Sequence, residues 1–173
     1  PTPQELSERW SKQYTPEELK IIQQPYYTSA SDNFKEPRYY QEIAINRTIE
    51  AVARGQNRIL LVMATGTGKT YTAFQIIHRL KASGAKRKVL FLADRNVLVD
   101  QPMTQDFKPF KDKMVKVSNK KLDSSFEVYL ALYQQLDGET DNELFKQFQP
   151  SFFDLIIIDE CHRGSAKEDS NWR

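Results

Sequence analysis

The sequence predicts an α/β protein, a three-layer sandwich around a mostly parallel sheet, and three observations lead there. From about residue 37 onward, short aliphatic runs alternate with segments of helical periodicity, the pattern of βαβ crossovers. Two of those runs, "ILLVM" at 59–63 and "LIII" at 155–158, look like strands covered on both faces. Each ends in polar residues, "ATGTGKT" in one case and "DECHRG" in the other. Open α/β sheets bind their ligands at the carboxyl ends of strands, so these two tips draw attention first.

Residues 1–36 are polar and interrupted by Pro1, Pro3, Pro16 and Pro25, and they are expected to be a lead-in or linker. "TPEELKIIQQ" has the makings of a short helix, with Thr15 as N-cap, Pro16 in the first turn and Glu18 completing a capping box. "YYTSASDNFKEP" reads as loop. The domain proper is expected over 37–173. Its first helix places Ile43, Ile45, Ile49 and Val52 at roughly helical spacing and ends at Gly55. A strand is expected at about Arg58 to Met63, a helix at about Lys69 to Ala82, and a strand in "KVLFLAD". Then come a helix from about Asn96, the basic stretch "KDKMVKVSNKK", a strand in "FEVYLALY", a short helix around Asn142 to Phe148, and the last strand. Phe145, Phe148, Phe152 and Phe153 are expected in the core.

The glycines of "ATGTGKT" allow a tight bend in which successive N–H groups turn inward around phosphate oxygens. The following helix points its partially positive end at the same anion. Thr65, Gly66, Thr67, Gly68, Lys69 and Thr70 are therefore the expected nucleotide-binding set. Lys69 would reach the β- and γ-phosphates and the Thr70 hydroxyl would join a Mg²⁺ shell. Met63 stands where the strict G-x-x-x-x-G-K-[ST] pattern has its first glycine. Asp159 would hold the Mg²⁺, and Glu160 would orient and deprotonate the attacking water. Mg²⁺ keeps several waters and takes few protein oxygens, so Thr70 and Asp159 suffice. Together these residues read as an ATPase half-site with ATP and Mg²⁺ as cofactors.

Composition narrows the rest. At 173 residues there is room for one α/β domain. A net charge of +2 gives no global basic field, so affinity for nucleic acid would rest on local placement. The single cysteine, Cys161, rules out an intramolecular disulfide and fits a reducing, cytoplasmic compartment. No apolar run approaches membrane-spanning length, and no membrane partner is expected. The chain opens at Pro1 without an initiator methionine and stops at Arg173, so a piece of a longer protein is expected.

Other residues have two readings. Gln41, in "PRYYQ", has an amide that matches an adenine edge, with Arg38 or a neighbouring tyrosine stacking on the base; equally, it is an exposed glutamine at a helix start. Arg95 and Gln101 either touch a DNA phosphate or simply belong to a capped helix, with Asp94 or Asn96 as the cap. The five lysines between Lys111 and Lys121 form a solvated loop or a backbone-tracking patch. His78 is assigned nothing. Cys161-His162 has no companion at zinc-like spacing. His162 either couples nucleotide state to a neighbouring domain or packs.

"ATGTGKT" and "DECH", with "PRYYQ" ahead and "LFLADRNVLVDQ" between, resemble the first RecA-like domain of superfamily 2 helicases and translocases. "RYYQ", "MATGTGKT", "LADRNVLVDQ" and "DECHRG" look like the motor (R, or HsdR) subunit of type I restriction endonucleases. The resemblance covers about Pro37 to Gly164. It implies a RecA-like P-loop NTPase fold, an adenine-reading role for Gln41, and a DNA-gripping segment containing Arg95 and Gln101. Relatives often carry Thr-Tyr-Gln before the acidic strand; here Leu132 replaces the threonine, while Tyr133 and Gln134 remain as DNA candidates. It further implies a DNA-dependent translocase working on double-stranded DNA with methylation and specificity subunits. A nuclease domain and a second RecA-like domain would lie elsewhere in the polypeptide, leaving this piece inactive alone. The alternatives are a superfamily 2 helicase of DNA repair or RNA metabolism, and a nucleotide-sensing module without turnover.

Overall fold

A computed structural model describes residues 1–28, 36–93, 106–117, 123–132 and 148–160. Asp94, Arg95, Asn96, Gln101, Tyr133, Gln134, Phe145, Cys161 and His162 lie outside these residues, as do the helix expected from Asn96 and nearly all of the one expected at 142–148. The chain divides into two compact units, Pro1–Ala85 and Lys86–Arg173.

The first unit is helical. Helix α1 (Pro3–Ser11) was not expected, since its prolines read as breakers. Pro3 instead takes the first helical position, where a missing N–H costs nothing, and Thr2 and Glu5 form a reciprocal capping box. Helix α2 (Pro16–Ile22) has the expected cap: Thr15 Oγ1 accepts from the Glu18 N–H, and the Glu18 carboxylate accepts from the Thr15 N–H. Helix α3 (Tyr39–Ala53) buries Gln41, Ile45, Thr48 and Ile49. Ile43, one of the four residues at roughly helical spacing, faces out, because it sits two residues from Ile45, off the i, i+4 stripe of Ile45 and Ile49. Helix α4 (Lys69–Ala82) has the expected bounds and buries Thr72 through Ile77, then Arg79 and Leu80.

Polar side chains fasten the lead-in residues to α3 and α4. The Tyr14 hydroxyl donates to the Glu50 carboxylate at 2.8 Å, and the Tyr26 hydroxyl donates to Asn46 Oδ1 at 2.9 Å. Gln75 Oε1 accepts from the Tyr27 N–H and its Nε2 donates to the Tyr27 carbonyl. Arg79 is only 4% exposed; it donates to Asn46 Oδ1 at 2.7 Å and to the Ile22 carbonyl, and it lies over the Tyr26 ring. Burial pulls the guanidinium pKa down, and Tyr26 opposes that pull. His78 finds a place as well, edge-on to Tyr27 and near Phe74, with ring centroids 5.2 and 6.3 Å away.

The strand expected at 58–63 is not formed. No described strand pairs with these residues, and Leu60 and Val62 are 74% and 89% exposed. An aliphatic run becomes a strand only where a neighbour completes its backbone hydrogen bonds, and the first unit has none among its described residues.

The second unit is built on a parallel sheet of β1 (Val89–Ala93), β2 (Met114–Lys116), β3 (Val128–Leu132) and β4 (Leu155–Ile158), in the order β2-β3-β1-β4. Val89 pairs with Val128 on one side and Leu155 on the other. β1 is buried along its whole length, as a central strand of this kind should be. β4 departs from the expectation of cover on both faces. Among the described strands it pairs with β1 alone, and Ile156 and Ile158 are exposed in period-two alternation. The basic stretch expected as a loop holds the end of a 3₁₀ helix (Lys108–Lys113) and then β2, while Lys113 pairs with Glu127 at 3.6 Å. Phe148, Phe152 and Phe153 pack on Tyr129, as expected of core aromatics. Asp154 accepts from the Arg87 and Lys88 N–H groups and so fixes the approach to β4; these bonds hold its carboxyl below the usual range. Among the described residues no helix is long and apolar enough to cross a membrane.

Two outcomes follow. Arg79→Ala removes charge-assisted bonds and strands the Ile22 carbonyl, and should cost about 2–3 kcal/mol in urea unfolding. His78 has its pKa lowered from 6.5, first by burial and then by Arg79. The unfolded chain therefore binds the proton more readily, so stability falls as pH drops from 6.5 through the lower folded value. Melting curves of His78→Leu between pH 7 and 5 should show a shallower loss than the native sequence.

Candidate phosphate-binding site

The site begins with a loop that cannot be held by side chains alone. Residues 64–68 turn sharply between the exposed aliphatic run and α4, with Gly66 at φ 78° and Gly68 at φ 81°. Both values lie in the left-handed region that L-residues enter at a cost of roughly 1–2 kcal/mol. Inside the turn, Thr67 donates from Oγ1 to the Ala64 carbonyl at 2.6 Å. Gly68 is the N-cap of α4 and offers no capping side chain. Its carbonyl accepts from the Thr72 N–H, so regular helix bonding begins there. The amides of a first helical turn have no carbonyl within the helix to bond, and their dipoles favour an anion. Lys69 and Thr70 open α4, which puts an ammonium and a hydroxyl on the same turn.

Gln41 joins this loop from α3. Its Oε1 accepts from the Arg38 N–H at 2.9 Å, and its Nε2 donates to the Thr67 carbonyl at 2.8 Å. It is 6% exposed, so the reading as an exposed helix-start glutamine does not hold. A Cβ on Gly68 would fall far inside van der Waals distance of Gln41 Nε2, whereas one on Gly66 would meet open space. The Arg38 guanidinium reaches the Tyr40 hydroxyl at 3.2 Å. A cavity of about 340 Å³ lies beside the loop, lined by Tyr40, Ile43, Ala44, Val62, Met63, Ala64 and Thr67. Thus Arg38, Gln41, Thr67, Gly68 and the start of α4 come together in one small region. Gln41 to Thr67 is a contact that residue spacing did not suggest.

Asp159 and Glu160 belong to the second unit and follow β4 directly. The Asp159 N–H donates to the Leu92 carbonyl at 2.9 Å, extending the β1–β4 ladder by one step. Asp159 Oδ1 accepts from the Glu160 N–H at 3.0 Å. Glu160 has φ 53° and is the one non-glycine residue with positive φ among those described. Strained backbone of this kind gathers at functional sites.

The donors suit the expected cofactors. A glycine turn leading into an uncapped helix fits a phosphate group, and each unit by itself carries oxygen donors of the hard kind Mg²⁺ prefers, Thr70 in the first and Asp159 in the second.

Comparisons with known proteins show the family. The family model described as "Type III restriction enzyme, res subunit" (ResIII) matches residues 34–173. The type I restriction enzyme EcoAI endonuclease subunit of Escherichia coli is 60% identical over the whole chain, which spans 22% of that relative's length. Among solved structures, a fragment described as an HsdR subunit of a type I restriction enzyme from Vibrio vulnificus YJ016 superposes with a TM-score of 0.73 at 39% identity. That match covers 94% of this chain and 28% of the other. A nuclease-deletion mutant of the type ISP restriction-modification enzyme LlaGI gives 0.53 at 23% identity over 74% of this chain and 15% of its own, a likeness of fold. The parallel sheet with helices is accordingly RecA-like.

Alanine at the two glycines separates backbone strain from steric conflict. Gly66→Ala should lower stability by about 1–2 kcal/mol, and Gly68→Ala by more because it also displaces Gln41; paired thermal melts measure the difference. In sequence, local structure and relatedness alike, the chain belongs to the ResIII family and is the helicase-like domain of a restriction-enzyme subunit, as the resemblance of its motifs implied.

Proposed function

We propose that this chain is the ATP-binding and ATP-hydrolysing motor domain of a type I restriction enzyme R subunit, driving translocation of double-stranded DNA. The observation that carries the reading is the turn at Gly66 and Gly68 opening an uncapped helix whose first residues are Lys69 and Thr70. The 60% identity to the EcoAI subunit favours the type I branch. On this reading residues 37–173 are the first RecA-like domain, and cleavage belongs to a nuclease domain outside these residues.

The residue roles follow from their chemistry. The loop amides from Thr65 to Gly68 would bind phosphate oxygens without a rotamer to order, and Lys69 would add a positive charge. Thr70 and Asp159 would hold Mg²⁺, which when bound neutralises charge on the β- and γ-phosphates. Asp159 is held by two backbone bonds, one through its N–H and one to its carboxylate, so it has little freedom to reorient. Glu160 would act as the base that orients water. Arg38 and Gln41 would meet adenine, and Arg95, Gln101, Tyr133 and Gln134 are the proposed DNA contacts. Duplex DNA, methylation and specificity subunits and a second RecA-like domain are the proposed partners.

Phosphate release by the intact protein, with and without duplex DNA, tests this reading. DNA should stimulate hydrolysis, and Lys69→Ala or Glu160→Gln should each lower the rate by at least about a hundredfold. Undiminished turnover in either variant would remove the mechanism.

A further inference from the structure

We infer that Gln41 is a positioning residue for the phosphate-binding loop, holding residues 64–68 in shape through the Thr67 carbonyl whether or not a base is present. The inference deepens the proposed nucleotide site and rests on it. An adenine reader needs its amide turned outward; this amide is almost wholly covered and spans from the start of α3 to the loop. The Thr67 carbonyl lies between the two left-handed glycines, so a bond to it fixes the peptide whose neighbours turn inward. Two further bonds run from Thr67 to the Ala64 carbonyl and tie the turn to itself, and the Gly68 carbonyl accepts from the Thr72 N–H of α4, the helix that continues the loop. Gln41 is the contact that ties it to α3, a separate element anchored by fully buried Ile45 and Ile49.

Its hydrogen-bonding capacity makes the arrangement informative. A primary amide has two N–H donors and two acceptor lone pairs. Arg38 uses one acceptor and Thr67 one donor, leaving one of each. One acceptor and one donor are what the edge of an adenine base asks for. With Gln41 almost wholly covered, that remaining pair is out of reach of a base unless the side chain uncovers, so the bond to the loop is the role the structure supports.

The test separates positioning from base reading. In the intact protein, Gln41→Met keeps length and packing but has no amide. Hydrogen exchange of the segment 64–68, measured without nucleotide, should quicken roughly three- to tenfold, the worth of one net hydrogen bond. Affinity for Mg²⁺-tripolyphosphate, which has no base, should weaken by a similar factor, with ATP and GTP weakening at least as much. Exchange and tripolyphosphate affinity equal to the native protein, with ATP alone weakened, would make Gln41 a plain base reader and overturn the inference. If Gln41→Met does not fold, Gln41→Glu keeps the acceptor for the Arg38 N–H while losing the donor to Thr67, and native-like loop exchange in that variant overturns the inference equally. A native protein that binds neither tripolyphosphate nor ATP would instead refute the nucleotide site, while loop exchange would still decide the role of Gln41.

Discussion

A phosphate-binding loop made of backbone works against itself. Its N–H dipoles must converge, and convergent dipoles repel, so something other than the loop has to hold the curvature. In this chain Gly66 and Gly68 remove the steric objection by accepting φ values near 80°. Removing an objection does not specify a shape. Specification comes from Thr67, whose hydroxyl donates to the Ala64 carbonyl within the turn and whose own carbonyl accepts from Gln41. The remainder of the first unit makes sense as support for that grip.

The support can be followed outward. Gln41 is useful only if α3 stays in place, and α3 buries Ile45 and Ile49 completely. Asn46, one residue from Ile45, receives hydrogen bonds from both Arg79 on α4 and Tyr26 of the lead-in. Arg79 also reaches the last residue of α2. A buried guanidinium is costly unless it is paired, and here a side-chain oxygen, a carbonyl and a ring face answer most of it, while Nε has no hydrogen-bond partner among the described residues. The polar residues before Pro37 thus contribute bonds to the helices that carry the loop, although nothing in their composition announces it.

How much of this was legible depends on whether the deciding interaction is local. The α2 cap at Thr15 and Glu18, the bounds of α4, and strands β1, β3 and β4 are written in short-range patterns, and they appear where the sequence put them. Helix α1 was missed because proline was weighed as a breaker and not as a first-turn residue. β2 was hidden by the lysines in and around it, Lys116 within the strand and Lys113 just before it, yet lysine is what an edge strand uses to discourage further pairing, and β2 stands at the end of the sheet order. The run 59–62 shows the opposite failure, since aliphatic content says nothing about whether a neighbouring strand exists to pair with it. In the site, glycine, lysine and threonine were readable as chemistry. The bond from Gln41 to Thr67 spans 26 residues and depends on how α3 meets the loop, so no local pattern encodes it.

The two candidate site tips solve one backbone problem in different ways. Both use left-handed residues to turn the chain at the end of an aliphatic run. At 66 and 68 the residue is glycine, which adopts that conformation freely. At 160 it is glutamate, for which the same conformation costs roughly 1–2 kcal/mol. If turning the chain were all that mattered, glycine would be the cheaper residue there too. A strained position that carries a carboxylate points to the carboxylate as the reason, and the adjacent bond from the Glu160 N–H to Asp159 Oδ1 helps to keep it. The phosphate loop presents backbone, so it can dispense with side chains at its turning points. The acidic tip presents side chains, so it has to turn with one in place.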